Sequence, residues 1–126
     1  MGTTVREVMS TGLVTVGPSA SVMDAARAMS AARVGSVLVL DAGALAGIFT
    51  ERDILRALAR QSDAGRVSAV SKWKTRDPSA IGPDASVGEA LDRMLEGGFR
   101  HLPVMGGQTL VGVVSMRDLA RSIAKG

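Results

Sequence analysis

The chain has 126 residues, 46% of them hydrophobic and 21% charged, which is the composition of one globular domain and excludes a disordered or fibrous protein. It has no cysteine, so disulfides, thiolate metal sites and a cysteine nucleophile are excluded. Fifteen basic residues against twelve acidic ones give a net charge of +3, which suits an anionic partner. No apolar stretch approaches the ~18 residues of a membrane span, and residues 1–8 lack a signal-peptide pattern. We therefore expect a cytoplasmic protein that does not contact membranes.

The strongest feature of the sequence is an internal repeat. Gly17-Pro18-Ser19-Ala20-Ser21-Val22 recurs as Gly82-Pro83-Asp84-Ala85-Ser86-Val87, an offset of 65 residues (82 minus 17). Residues 5–58 align with residues 70–123 at this offset without a gap. A unit of about 55 residues buries so little surface that it would be only marginally stable alone. We therefore predict one module over residues 1–126, with a first repeat at about 5–60, a linker at about 61–69 and a second repeat at about 70–124.

The first copy shows the order of the predicted elements. An extended run is followed by an amphipathic helix, with Ser21 as its N-cap and Asp24 completing a capping box. Two apolar runs then predict a β-hairpin, and a last helix begins at Thr50. The extended and apolar runs are Leu13 to Val16, Ser36 to Leu40 and Ala44 to Phe49. Each copy is therefore predicted as β-α-β-β-α, and the fold class as α+β.

The second copy repeats this order up to a last helix that begins at Ser115. Ser86 with Glu89 is its predicted capping box. Its extended and apolar runs are Ser79 to Ile81, His101 to Met105 and Thr109 to Val114. A leading segment opens each copy: a short helix at Val5 to Met9, capped by Thr4 and Glu7, in the first, and the stretch around Lys72 to Arg76 in the second. The last helices are expected to turn Ile54, Leu55 and Leu58, or Leu119 and Ile123, towards the core.

No catalytic set stands out in the sequence. His101 is the only histidine, which excludes a metal site built from several histidines, and the carboxylates are scattered. Neither a P-loop nor a dinucleotide-binding fingerprint is present. We therefore predict that the protein is not an enzyme and has no metal and no cofactor.

The remaining chemistry lies in two tetrads, Thr50-Glu51-Arg52-Asp53 and Ser115-Met116-Arg117-Asp118, each where a strand ends and a helix begins. The N–H groups and dipole of a helix N-terminus suit a phosphate, and the arginine can pair with its charge. The two carboxylate oxygens of the aspartate can accept both hydroxyls of a ribose. The set is therefore suited to a nucleotide. The pattern Ser/Thr-x-x-Asp is also a common helix cap, which leaves a purely structural interpretation open.

The ordered set of motifs, present twice at one spacing, resembles the tandem cystathionine-β-synthase (CBS) domain pair, also called a Bateman module. The resemblance covers nearly the whole chain and rests on the residue runs 5–10, 17–22, 25–29, 35–39, 47–53 and 100–104. It implies an α+β fold of two pseudo-symmetric β-α-β-β-α repeats packed through their sheets, and a flat homodimer joined through helical faces. It also implies two clefts for adenosine-containing ligands such as AMP, ADP, ATP or S-adenosylmethionine.

By this resemblance, each cleft combines the tetrad of one copy with strand residues of the other. The first cleft would contain Thr50, Arg52, Asp53, Ser79, Ala80, Arg100, His101 and Leu102. The second would contain Ser115, Arg117, Asp118, Leu13, Val14, Gly35, Ser36 and Val37. Asp53 would hold the ribose, with Arg100 or His101 near the phosphate. Because the first copy has only Gly35 and Ser36 at the matching positions, the Asp53 cleft is predicted to be the better phosphate site.

These expectations describe a regulatory module that binds an adenosine-containing ligand and signals by a conformational change to an unidentified effector protein. Two alternatives stay open. A ligand-free dimerisation or assembly module would use the tetrads only as caps. A weak nucleic-acid-binding protein would use the basic edge formed by Lys72, Lys74 and Arg76, but three cations are few for such a site, so nucleic acid is not the partner we expect.

Overall fold

The organisation of the chain follows from an exchange of leading segments between the two sequence repeats. The computed structural model describes residues 3–76 and 78–125. Residues Val14–Pro78 form one compact unit, the N-repeat unit. The residues up to Leu13 join those from Ser79 onward in a second one, the C-repeat unit. Each hairpin therefore packs with the segment that leads into the other repeat along the chain.

Twelve helices and strands span the described residues. In chain order they are α1 (Val5–Val8), β1 (Thr15–Val16), α2 (Val22–Ala32), β2 (Ser36–Asp41), β3 (Ala44–Thr50), α3 (Glu51–Gln61), α4 (Asp63–Val67), α5 (Val70–Trp73), α6 (Val87–Gly97), β4 (His101–Gly106), β5 (Thr109–Ser115) and α7 (Met116–Lys125). The predicted α+β class is confirmed, and the first copy has the predicted order as β1-α2-β2-β3-α3. In the second copy the predicted strand before α6 is reduced to one bridge between Ile81 and Val104. Helix α4 lies in the stretch predicted as a linker.

The two hairpins are built in the same register. Strands β2 and β3 pair antiparallel with Ser36 opposite Thr50, and β1 joins β2 in parallel to make a three-stranded sheet. Strands β4 and β5 pair antiparallel with His101 opposite Ser115. Both hairpins thus end their second strand at the hydroxyl residue that starts the following helix.

Local caps account for several helix starts. The Ser21 hydroxyl accepts the Asp24 N–H at 2.9 Å and the Asp24 carboxylate accepts the Ser21 N–H at 3.2 Å, which confirms the predicted capping box. The predicted box at Ser86 is only half formed, because the Ser86 hydroxyl accepts the Glu89 N–H at 3.0 Å while the Glu89 carboxylate lies 3.5 Å from the Arg93 guanidinium. An ion pair within the helix thus replaces one cap bond.

Each unit has its own aliphatic core, to which the leading helix contributes. The N-repeat core consists of Val22, Ala25, Met29, Val37, Val39, Phe49, Ala57, Val70 and Trp73. The C-repeat core consists of Val5, Ile81, Val87, Ala90, Met94, Leu102, Val104, Val114 and Leu119. Val5 of α1 and Trp73 of α5 therefore anchor the two leading segments by apolar burial.

The predicted core face of α3 is partly wrong. Ile54 packs against the N-repeat core, but Leu55 is 68% exposed and Leu58 38% exposed. The helix buries Asp53 and Ala57, four residues apart on one face, and Leu55 stands roughly 200° round the helix from Asp53. In α7 the prediction is confirmed for Leu119, which is fully buried, and wrong for Ile123, which is exposed at the end of the helix.

Gly47 and Gly112 stand at equivalent positions, where a leading segment crosses the second strand of a hairpin. The adjacent Ile48 bridges to Thr75, and Val113 bridges to Ser10. A Cβ atom on Gly47 would lie 2.5 Å from the Thr75 carbonyl oxygen, and one on Gly112 would lie 2.8 Å from the Ser10 carbonyl oxygen. Both distances are too short for carbon against oxygen. A side chain at either position must therefore push the two backbones apart.

We expect Gly47→Ala to lower the free energy of unfolding by about 1–3 kcal/mol, the usual cost of forcing atoms into a packed site. Urea denaturation followed by circular dichroism measures the loss. Gly82→Ala is the matched control, because a Cβ there meets nothing within 4 Å, and it should change stability by less than about 0.5 kcal/mol. Equal losses in the two variants would contradict the close-approach explanation.

Candidate functional site

The first tetrad joins β3 to α3, and its hydrogen bonds converge on the carboxylate of Asp53. Asp53 Oδ2 accepts the Thr50 N–H at 2.9 Å and the Thr50 hydroxyl at 3.3 Å. Asp53 Oδ1 accepts a bond from the Arg56 guanidinium at 2.9 Å. Asp53 is only 3% exposed, so these donors supply the partners that a buried carboxylate requires. The cap interpretation of this tetrad is therefore realised in the structure.

The second tetrad joins β5 to α7 and is more open. Asp118 Oδ2 accepts the Ser115 N–H at 2.9 Å, and the Ser115 hydroxyl accepts the Asp118 N–H at 3.1 Å. Within residues 3–76 and 78–125, no group donates to Asp118 Oδ1, and the residue is half-buried. This tetrad is also a cap, but it keeps a carboxylate oxygen available for a further hydrogen bond.

The predicted site residues divide between the two units. The N-repeat unit holds Thr50, Arg52, Asp53, Val14, Gly35, Ser36 and Val37. The C-repeat unit holds Ser115, Arg117, Asp118, Leu13, Ser79, Ala80, Arg100, His101 and Leu102. The combination of each tetrad with strand residues of the other copy stays a prediction.

Within each unit, the structure places the tetrad beside the start of its own hairpin. The Gly35 carbonyl accepts the Glu51 N–H at 3.1 Å, and the Arg100 carbonyl accepts the Met116 N–H at 2.8 Å. Ser36 is also paired with Thr50, and His101 with Ser115, so the first residues of each hairpin lie next to the helix N-terminus of the same unit. Arg52 and Arg117 are exposed near these helix starts, where their charge is free to meet an anion.

Three residues that were not predicted to belong to the site lie near it: Arg56, Trp73 and Arg93. Arg56 pairs with Asp53, and its guanidinium carbon lies 5.9 Å from the centroid of the Trp73 ring. Arg93 donates a hydrogen bond to the Ala80 carbonyl oxygen. The spacing of Asp53 and Arg56, three residues apart on a helix, was the available signal for their pair. The contacts of Trp73 and Arg93 depend on tertiary structure and leave no local signal.

The chemistry of these groups is that of binding. Each tetrad offers helix N–H groups, a hydroxyl and a carboxylate, which together suit a polar, hydroxyl-bearing anion. In the described part of the chain, no group of three or more His, Asp or Glu side chains is placed to hold a metal ion. None of the helices there is both long and apolar enough to cross a bilayer.

Comparison with known proteins identifies the family. Residues 5–60 and 67–125 each match the family described as CBS domain. A CBS-domain-containing protein from Agrobacterium tumefaciens is 34% identical with a TM-score of 0.92, over 98% of this chain and 95% of that one. The Bacillus subtilis CBS domain-containing protein YhcV is 32% identical over 92% of this chain and 82% of its own.

A further solved structure is similar over almost the same length. It is the CBS domain pair of protein MJ0100, in complex with 5′-methylthioadenosine and S-adenosyl-L-methionine. It is 25% identical with a TM-score of 0.86, over 94% of this chain and 98% of that one. With both repeats matched and the same fold found over nearly the full length, the chain belongs to the CBS domain family and carries two CBS domains in tandem.

Proposed function

We propose that the protein is a non-catalytic regulatory module that binds an adenosine-containing ligand, such as AMP, ADP, ATP or S-adenosylmethionine. The observation that carries this proposal is the duplicated tetrad at a strand-to-helix junction, with an available carboxylate oxygen on Asp118. The proposal is supported by the adenosyl ligands in the related MJ0100 domain pair. It needs no cofactor, because the ligand itself is the signal.

The binding residues we propose are those predicted from the sequence, with the tetrads in the leading role. The helix N–H groups and the tetrad arginines would meet negative charge on the ligand, and the carboxylates would accept ribose hydroxyls. The supporting residues are Leu13, Val14, Gly35, Ser36, Val37, Ser79, Ala80, Arg100, His101 and Leu102. Leu102 and Val37 are buried strand residues, whereas Arg100 is exposed and able to follow a phosphate.

The proposed output is a shift in a conformational equilibrium. A ligand that binds one arrangement of the module more tightly than another changes their populations by the difference in binding free energy. An effector protein that contacts only one arrangement then binds the module with an apparent affinity that depends on the ligand concentration.

A second candidate function, a ligand-free assembly module, is favoured by one observation. Both tetrads are helix caps, and the Asp53 carboxylate is already engaged by Thr50 and Arg56. In that case the tetrads contribute only stability. The two candidates differ in whether any adenosine-containing compound stabilises the protein.

A thermal-shift panel separates these candidates. The panel contains AMP, ADP, ATP, S-adenosylmethionine, NADH and guanine nucleotides. A ligand at 100 times its dissociation constant should stabilise the folded state by ~2.7 kcal/mol, which raises Tm by several degrees in a domain of this size. We expect such a shift for at least one adenosyl compound and a smaller one for guanine nucleotides.

Two results, one from the panel and one from heparin chromatography, would contradict the proposal. Unchanged Tm with every compound at millimolar concentration would favour the assembly module. Retention on heparin with a steep salt dependence, together with no effect of nucleotides, would favour the nucleic-acid-binding alternative at Lys72, Lys74 and Arg76.

We also propose that the protein is a homodimer joined through helical faces. The support is the exposure of large apolar side chains on three helices: Leu55 on α3, Leu95 on α6 and Ile123 on α7, which are 68%, 65% and 56% exposed. Covering such residues removes apolar surface from water. Light scattering during size exclusion should give twice the mass of one chain, and Leu95→Glu should shift it towards the monomer mass. A monomer in the unaltered protein would contradict this arrangement.

A further inference from the structure

The two aspartates differ in how much hydrogen-bonding capacity they retain. A carboxylate has about four acceptor positions. Asp53 receives donors from Thr50 N–H, the Thr50 hydroxyl and the Arg56 guanidinium, and its side chain is 5% exposed. Asp118 receives only the Ser115 N–H among the described residues and is half-buried. The first tetrad is therefore nearly saturated, whereas the second is not.

The difference originates outside the tetrads, in the residue three positions after each aspartate. This residue is Arg56 in the first copy and Arg121 in the second, at the repeat offset. Arg56 lies 2.9 Å from Asp53. In the part of the chain that the structure describes, Arg121 makes no such ion pair and is exposed.

Trp73 explains why the arginine is held in one copy only. Its ring centroid lies 5.9 Å from the Arg56 guanidinium carbon and 5.5 Å from the Lys72 ammonium nitrogen. The ring is fixed because Trp73 is 5% exposed and its indole N–H donates to the Ser68 hydroxyl at 3.0 Å. The matching residue of the other leading helix is Val8, which has no aromatic face for a cation.

We propose that Arg56, held by Trp73, determines specificity at the first tetrad by occupying Asp53 and so preventing it from reading ribose hydroxyls. The inference rests on the proposed function and narrows it: of the two carboxylates offered above for the ribose hydroxyls, only that of Asp118 accepts them. The two tetrads are then unequal. The Asp118 tetrad distinguishes a ribose from a sugar that lacks the 2′- and 3′-hydroxyls, and the Asp53 tetrad does not. The predicted preference of a phosphate for the Asp53 cleft rests on Arg100 and His101 and is a separate question, because it concerns the phosphate and not the ribose.

The test isolates the first tetrad by using Asp118→Asn as the background. Adenosine and 2′,3′-dideoxyadenosine are titrated calorimetrically. The ratio of their affinities measures how much the 2′- and 3′-hydroxyls of the ribose contribute to binding. We expect a ratio near one in the Asp118→Asn background. Adding Arg56→Met, which removes the guanidinium and leaves no side-chain donor for Asp53, should raise it about tenfold, the lower end of the value of a hydrogen bond to a charged group. Arg121→Met, the matched control, should leave it near one.

A conservative replacement separates positioning from general stability. Arg56→Lys keeps a positive charge and a donor for Asp53, so the ratio should return to near one. Fluorescence of Trp73, the only tryptophan, should change in Arg56→Met and not in Arg121→Met. Both readouts concern the contacts of Arg56 and do not depend on Tm.

The outcomes are distinguishable. A ratio of fivefold or more already in the Asp118→Asn background, or no increase on adding Arg56→Met, would overturn the inference and leave the proposed function standing. Failure of the unaltered protein to bind any of adenosine, AMP, ADP, ATP and S-adenosylmethionine would overturn the proposed function and the inference with it.

Discussion

Asp118→Asn is expected to weaken binding of an adenosine-containing ligand by roughly 10- to 100-fold, the value of a hydrogen bond to a charged group. The substitution removes the charge and one acceptor where Asp118 Oδ1 is available. The remaining amide oxygen can still accept the Ser115 N–H, because asparagine is a good capping residue in its own right. Calorimetric titration of the ligand selected by the thermal-shift panel measures the change.

Asp92→Asn is the control for this substitution. Asp92 is an exposed carboxylate on α6 in the same unit, so the same change in net charge is made away from the tetrad. We expect its affinity to stay within about twofold of the unaltered protein, since exposed charges act weakly at a distance. An equal loss of affinity in both variants would show that only overall charge matters and would contradict a role for Asp118 in binding.

Phe49→Ala is expected to lower the free energy of unfolding by about 3–5 kcal/mol. Phe49 is fully buried in the N-repeat core, on the strand that leads into the first tetrad. Removing the ring deletes apolar contacts and leaves a cavity that the surrounding Val, Met and Trp side chains fill only in part. Because total stability of a small domain is about 5–15 kcal/mol, the variant should approach the limit of folding.

Urea denaturation followed by circular dichroism measures this loss, and Phe49→Leu provides the comparison. Leucine keeps most of the apolar volume, so its cost should be clearly smaller than that of alanine. If Phe49→Ala costs less than about 1 kcal/mol, the ring does not fill the core as the structure shows.

The features that the sequence predicted correctly are local or repeated. The cap at Ser21 depends on a residue three positions away, and the hairpins depend on short apolar runs bounded by turns. The offset of 65 residues allowed each element to be recognised twice. Both kinds of signal can be found without knowing which distant segments of the chain contact each other. The order of the elements was therefore predictable.

The features that it did not predict depend on contacts between distant segments. Leu55 belongs to an apolar pattern, but burial of the capped Asp53 rotates α3 so that Leu55 faces outward. The exchange of leading segments and the contact of Arg56 with Trp73 arise only when the chain has folded.

The most direct test of the central claim is a calorimetric titration of the unaltered protein with the adenosyl compound that raises Tm most, beside its guanine counterpart. The account predicts saturable binding of the adenosyl compound and affinity at least about tenfold lower for the guanine compound. Binding of neither, or equal binding of both, would contradict the assignment of this CBS domain pair as a module that recognises adenosine.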